Sequence, residues 1–115
     1  VSNGQEVEGR KNEVFIHLIQ LIEKYYMQER GVAFYADKLC LSPKYLSAVS
    51  KSICGYTVQE LVFKAIIRKS ISLLKNTQQD IQEISNAFGF PNASYFGTFF
   101  KKQVGVSPQQ YRKNL

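Results

Sequence analysis

Tryptophan is absent from the 115 residues, proline occurs three times and glycine seven times. So few chain breakers favour helices joined by short connections. Cysteine occurs twice, as Cys40 and Cys54, and histidine once, as His17. A tetrahedral zinc site needs four nitrogen, sulfur or oxygen ligands at fitting spacings, and these residues cannot supply one. No metal and no cofactor is expected. Cys40, between Leu39 and Leu41, reads as a small core residue, and a disulfide is not expected in a chain without an export pattern. His17, among Phe15, Ile16, Leu18 and Ile19, reads as a packed or surface histidine of a helix. Catalysis has no foothold, because no Ser or Cys nucleophile motif accompanies His17 and no glycine-rich phosphate loop occurs. No apolar run approaches the ~20 residues that would span a bilayer, so no membrane partner is expected. The polar opening residues lack a secretory pattern.

What is present is an ordinary globular balance, 44% hydrophobic and 21% charged residues, enough for one domain with a real core. The formal net charge is +6, and it is unevenly spread. Residues 1–30 carry five acidic and four basic side chains, whereas the rest carries eleven basic against four acidic, a net of +7. A basic excess concentrated after the first helix points towards a polyanionic partner.

Residues 1–11 read as a polar leader or linker, and the start at Val1 rather than Met fits a piece of a longer protein. Val14, Leu18, Leu21, Ile22 and Tyr25 then share one helical face, predicting a first helix from roughly Asn12 to Arg30 that stops at Gly31. A short helix near 32–39 and a tight turn at Cys40-Leu41 follow. Ser42-Pro43 opens the next helix with an N-cap and a proline whose missing N–H would be unpaired there anyway. That helix buries Tyr45, Leu46, Val49 and Ile53, stops before Gly55, and turns Lys44, Ser47, Ala48 and Lys51 outward. Thr57 and Glu60 have capping-box spacing and open a long central helix to about Lys75. Asp80 caps a short helix, Asn92 caps another that ends at Gly105, and Ser107-Pro108 repeats the cap-plus-proline start.

Two segments echo each other at an offset of 50. Tyr45-Leu46 matches Tyr95-Phe96, Lys51 matches Lys101, Gly55 matches Gly105, and Thr57 matches Ser107. Two copies are fewer than a stacked array needs. The reading is therefore all-α, with about seven helices in two helix-turn-helix units joined by a long central helix. The units span about 32–54 and 80–104, the central helix 57–75 and the last helix 107–114, within a domain of residues 12–115. The central helix would be about 28 Å long, comparable with the ~34 Å at which major grooves recur on one face of DNA.

Three stretches carry a family resemblance: I-x-E-I-S-x-x-x-G-F from Ile81 to Phe90, S-Y-F-x-x-F-F-K-K from Ser94 to Lys102, and G-V-S-P-x-x-Y-R from Gly105 to Arg112. The first unit agrees through L-C-L-S-P-K-Y-L-S from Leu39 to Ser47. Together they resemble the DNA-binding domain of the AraC/XylS family of bacterial transcription regulators. The resemblance implies sequence-specific binding of double-stranded promoter or operator DNA, without enzyme activity, by two recognition helices in adjacent major grooves. Carried over by position, the base-contact candidates are Lys44, Ser47, Ala48 and Lys51 in the first unit, with Ala93, Ser94, Gly97 and Thr98 in the second. Phosphate-contact candidates are Ser42, Tyr45, Thr57, Asn92, Tyr95, Lys101, Lys102, Ser107 and Arg112, drawn from capped helix starts, hydroxyls and basic side chains.

Departures from the family pattern carry expectations of their own. Thr98 stands where arginine is frequent, so the second unit is expected to dock chiefly on phosphates, taking its preference from DNA shape. Ser50 replaces an aromatic and should leave the first recognition helix less tightly anchored. Tyr95 is expected in the core with Phe96, Phe99 and Phe100. The resemblance further implies a cytoplasmic, nucleoid-associated protein, with RNA polymerase as a candidate second partner. It implies a monomeric isolated domain, dimeric only through a further N-terminal domain. A helical protein-interaction module is the alternative from another class; a single-strand binder would need exposed rings for stacking.

Overall fold

Helices start where a side chain can take up an otherwise orphaned N–H. The computed structural model describes the backbone of residues 2–115 and the side chains of residues 7–115. These residues form seven helices: α1 (Ser2–Tyr25), α2 (Val32–Lys38), α3 (Pro43–Cys54), α4 (Val58–Asn76), α5 (Ile81–Ala87), α6 (Ala93–Val104) and α7 (Pro108–Lys113). Ser42 caps α3 by accepting from the Tyr45 N–H at 3.1 Å, and Ser107 caps α7 from Gln110 at 3.1 Å. Reciprocal capping boxes join Thr57 to Glu60 and Asp80 to Glu83. Gly55 and Gly105 close α3 and α6 in the left-handed conformation, at φ 82° and 100°, which costs glycine no Cβ clash. No described helix is long and apolar enough to cross a membrane.

The chain divides into two compact units, the first running to Phe63 and the second from Lys64, with α4 passing through the division. In the first unit α1 and α2 pack on α3, burying Leu18, Ile22, Tyr35, Ala36, Leu46 and Val49. In the second, α5 and α7 pack on α6, burying Ile84, Phe88, Phe96, Phe100 and Pro108. Here a chain of rings runs from Phe88 through Phe96 and Phe100 to Tyr111, with centroid spacings of 6.2, 5.9 and 5.8 Å.

The polar leader is helical, and α1 opens at Ser2 rather than near Asn12. The residues from Val7 to Arg10 are exposed, so no core contact holds this stretch in shape. Once the packed turns exist, extending a proline-free helix backwards adds one hydrogen bond per residue without a new nucleus. At its other end α1 stops at Tyr25, not Arg30. The Tyr25 carbonyl accepts from both Gln28 and Glu29 N–H groups, and the Glu29 carbonyl accepts the Tyr35 hydroxyl at 2.7 Å. The Tyr25 ring meets Phe34 edge-on at 4.9 Å, so the chain turns towards α2 before glycine is reached.

Cys40 is exposed rather than a core residue, and it stands at φ 57°. It occupies the left-handed position of a Schellman turn, in which Leu41 N–H donates to Ala36 and Cys40 N–H to Asp37. Phe90 and Gly89 make the same two bonds to Ser85 and Asn86, with Gly89 at φ 69°. The apolar work of this turn falls to its flanking residues; the central side chain points to solvent. The repeat also carries two registers. The supporting helices begin 49 residues apart, at Val32 and Ile81, but the recognition helices begin 50 apart, at Pro43 and Ala93. One extra residue lies between the second turn and its cap.

Candidate nucleic-acid interface

In α3 the buried residues Leu46, Val49 and Ser50 fix the helix rotation. Lys44, Ala48 and Lys51, spaced i, i+4 and i+7, are then exposed on the opposite face, with Ser47 half-buried beside them. Ser50 anchors this helix rather than loosening it. Fully buried, its hydroxyl donates to the Tyr56 carbonyl at 2.7 Å, tying the recognition helix to the strand of chain leading into α4. A bulky ring would have held the position by contact; the buried serine holds it by a hydrogen bond.

In α6 Phe96 and Phe100 are buried. Ser94, Tyr95, Thr98, Lys101 and Lys102 are exposed, while Ala93 and Gly97 are half-buried. The Asn92 side chain caps this helix by accepting from the Tyr95 N–H at 2.9 Å. The Tyr95 ring is 63% exposed, so it lies on the surface and not in the aromatic core. Sequence reasoning grouped it with its phenylalanine neighbours; its place one residue before the buried Phe96 is the signal that turns it outward. The Thr98 hydroxyl donates to the Ser94 carbonyl at 3.0 Å. Asn92, Ser94, Tyr95, Thr98 and Phe99 line a shallow depression of about 480 Å³.

Two phosphate candidates have other employment. The Thr57 N–H donates to the Glu60 carboxylate at 3.1 Å, so the start of α4 already carries an anion. Arg112 sends its Nε–H to the Leu74 carbonyl at 3.1 Å and its terminal nitrogens to Gln79, Leu73 and Thr77 carbonyls at 2.5, 3.3 and 3.3 Å. Four of the five guanidinium donors thus secure the end of α4 and the chain after it. The G-V-S-P-x-x-Y-R motif gave no sign of this, since its acceptors lie more than 30 residues back. Ser42 and Asn92 remain exposed at the starts of α3 and α6, and Ser107 and Tyr45 are half-buried. Lys44, Lys51, Lys101 and Lys102 are the exposed cations of the two recognition helices. A capped helix start is thus paired with lysines on the outward face in both helices, and ammonium groups are donors of the kind that phosphates and base edges accept.

A family model described as a helix-turn-helix domain matches residues 35–114. The chain is 31% identical over 96 residues to the Msm operon regulatory protein of Streptococcus mutans, covering 84% of this chain and 34% of that protein. It spans about a third of the length of the curated relatives it matches. Among solved structures it is similar to the C-terminal domain of AraT, a response regulator from Geobacillus stearothermophilus. The identity is 35% and the TM-score 0.83, over 89% of this chain and 85% of that one. The same fold occurs in a Chromobacterium violaceum regulator described as containing an AraC-type DNA-binding domain. That match has 17% identity and a TM-score of 0.80, covering 92% and 95% of the two chains. The twinned capped units, their motifs and these matches lead to one assignment: the chain belongs to the AraC-type helix-turn-helix family of transcription regulator domains.

Proposed function

We propose that this domain is the part of a bacterial transcription regulator that binds double-stranded DNA in a sequence-specific way, with α3 and α6 each entering a major groove. The observation that carries the reading is the repeated recognition helix, capped at its start, closed by a left-handed glycine and lysine-bearing on its outward face. Lys44, Ser47, Ala48 and Lys51 would face base edges from α3, and Ala93, Ser94, Gly97 and Thr98 from α6. Lysine suits guanine O6 and N7, and Ala48 suits a thymine methyl. Ser42, Asn92, Ser107, Tyr45, Tyr95, Lys101 and Lys102 would hold phosphates, with Thr57 and Arg112 left out for the reasons above. The intact regulator would act in the cytoplasm at the nucleoid, with RNA polymerase as second partner and dimerisation, if any, through chain outside this domain.

The test is a fluorescence-anisotropy titration of a duplex selected from a random library, repeated across salt. With roughly five to eight phosphate contacts, log K should fall against log salt with a slope of about −4.5 to −7, at −0.9 per contact. A flat dependence overturns the proposal. Lys44→Ala should weaken binding by about 1–3 kcal/mol and relax specificity at one base pair; a uniform loss across all sequences would move Lys44 to the phosphate group.

A further inference from the structure

We infer that the second recognition helix selects thymine by its 5-methyl group, with Tyr95 and Thr98 forming the apolar surface that receives it. The inference rests on the duplex reading above and adds the chemistry of one half-site. Among the four bases thymine alone presents a methyl group in the major groove. The outward face of α6 is built for that group. Tyr95, 63% exposed, is the ring left outside the Phe88–Phe90–Phe96–Phe99–Phe100 contacts. Such an exposed ring gains most when an apolar partner displaces its water. Thr98, three residues on, spends its hydroxyl proton on the Ser94 carbonyl at 3.0 Å, so the proton is withheld from base acceptors while the γ-methyl stays in play. The two side chains share the depression of about 480 Å³ with Asn92, Ser94 and Phe99.

The counterpart positions of α3 show the contrast. Lys44 corresponds to Ser94 and Ala48 to Thr98, so a cation on the first helix is replaced by a hydroxyl on the second. Charge on α6 comes a turn later, at Lys101 and Lys102, where it serves phosphates. The first unit therefore reads with a cation, Lys44, beside the Ala48 methyl, whereas the second reads by methyl contact without a cation at the matching position. This adds a direct contact to the expectation that the second unit docks chiefly on phosphates and takes its preference from DNA shape.

Deoxyuridine pairs as thymine does and lacks only the methyl. The experiment takes a library-selected duplex, replaces each thymine singly by deoxyuridine, and measures affinity by anisotropy at one salt concentration. At one or two positions the wild-type domain should lose about fourfold, the factor that ~0.8 kcal/mol for a buried methyl group gives. Tyr95→Ala and Thr98→Ser should bind the two duplexes equally at those positions, whereas Tyr95→Phe, which keeps the ring, should retain the difference. Both residues are exposed, and melting curves matching wild type will show the variants folded. Penalties that are absent, or unchanged in Tyr95→Ala and Thr98→Ser, overturn the inference while leaving duplex binding intact. Failure to retain any duplex overturns the reading beneath it instead.

Discussion

Replacing Arg112 by methionine keeps an unbranched apolar stem in place of the arginine methylenes and removes every donor. Its guanidinium holds the carbonyls of Leu73, Leu74, Thr77 and Gln79. The Leu73 carbonyl is already served by the Thr77 N–H at 3.2 Å and the Thr77 hydroxyl at 2.6 Å, so its loss matters least. Three carbonyls then lose their arginine partner, at about 1 kcal/mol net each. Arg112 is half-buried, and water will recover part of this, leaving a cost of about 2–3 kcal/mol. For a domain of this size that corresponds to a fall in Tm of roughly 10 °C, read by circular dichroism. DNA affinity measured well below the new Tm should keep its salt slope. If Arg112 held a phosphate instead, the methionine variant would melt as wild type does, and the slope would shrink by about 0.9. That pair of results would refute the structural role.

Three further outcomes follow from local geometry. Cys40→Gly relieves a left-handed side chain worth roughly 1–2 kcal/mol against glycine's entropic cost of about 0.5–1, so chemical denaturation should show a gain of about 1 kcal/mol; a loss would contradict the φ of 57°. Ser50→Ala removes the 2.7 Å donor of the Tyr56 carbonyl, leaving it the weaker Cys54 thiol at 3.8 Å, and should cost about 1 kcal/mol; an unchanged midpoint would show that the hydrogen bond is idle. Burial first, and the Glu29 carboxylate second, push the Tyr35 phenol up to about 12 from its usual value near 10. Its contribution is therefore intact below pH 10. As pH climbs from 10 towards 12 the unfolded chain releases a proton that the folded one keeps, costing about 1 kcal/mol per pH unit. Tyr35→Phe lacks this component, so the two stability curves should converge over that window, and parallel curves would remove Tyr35 as the source.

Local grammar made much of the fold legible. Ser42-Pro43, Thr57 with Glu60, Asp80, Asn92 and Ser107-Pro108 mark helix starts because a cap and the N–H it serves lie three residues apart. Gly55 and Gly105 mark stops because only glycine takes the left-handed conformation freely. The outward face of α3 followed from period and that of α6 from the family resemblance, and Lys44, Ala48, Lys51, Ser94 and Thr98 are exposed there. What stayed hidden depends on partners distant in sequence or on a residue that breaks a type preference. Arg112 meets acceptors 33 to 39 residues away. Cys40 takes a glycine's conformation, so residue type misdirected its burial. Ser50 anchors through a carbonyl six residues on, a distance at which no cap or period rule applies. The helical leader escaped because a polar stretch without a packing face gives no periodic signal.

The extra residue before the second cap has a practical bearing on exchange between the repeats. A constant spacing of 50 pairs Cys40 with Phe90, although the residue that shares its backbone conformation is Gly89. A hybrid spliced inside the turn at that spacing would force an aromatic side chain into a left-handed bend, or delete the residue that tucks beneath it. Joints cut at Ser42 and Asn92 avoid both faults, since each helix carries its own start and stop signals from there. The turn carries the difference in length, while each of α3 and α6 is self-contained from its cap to its closing glycine.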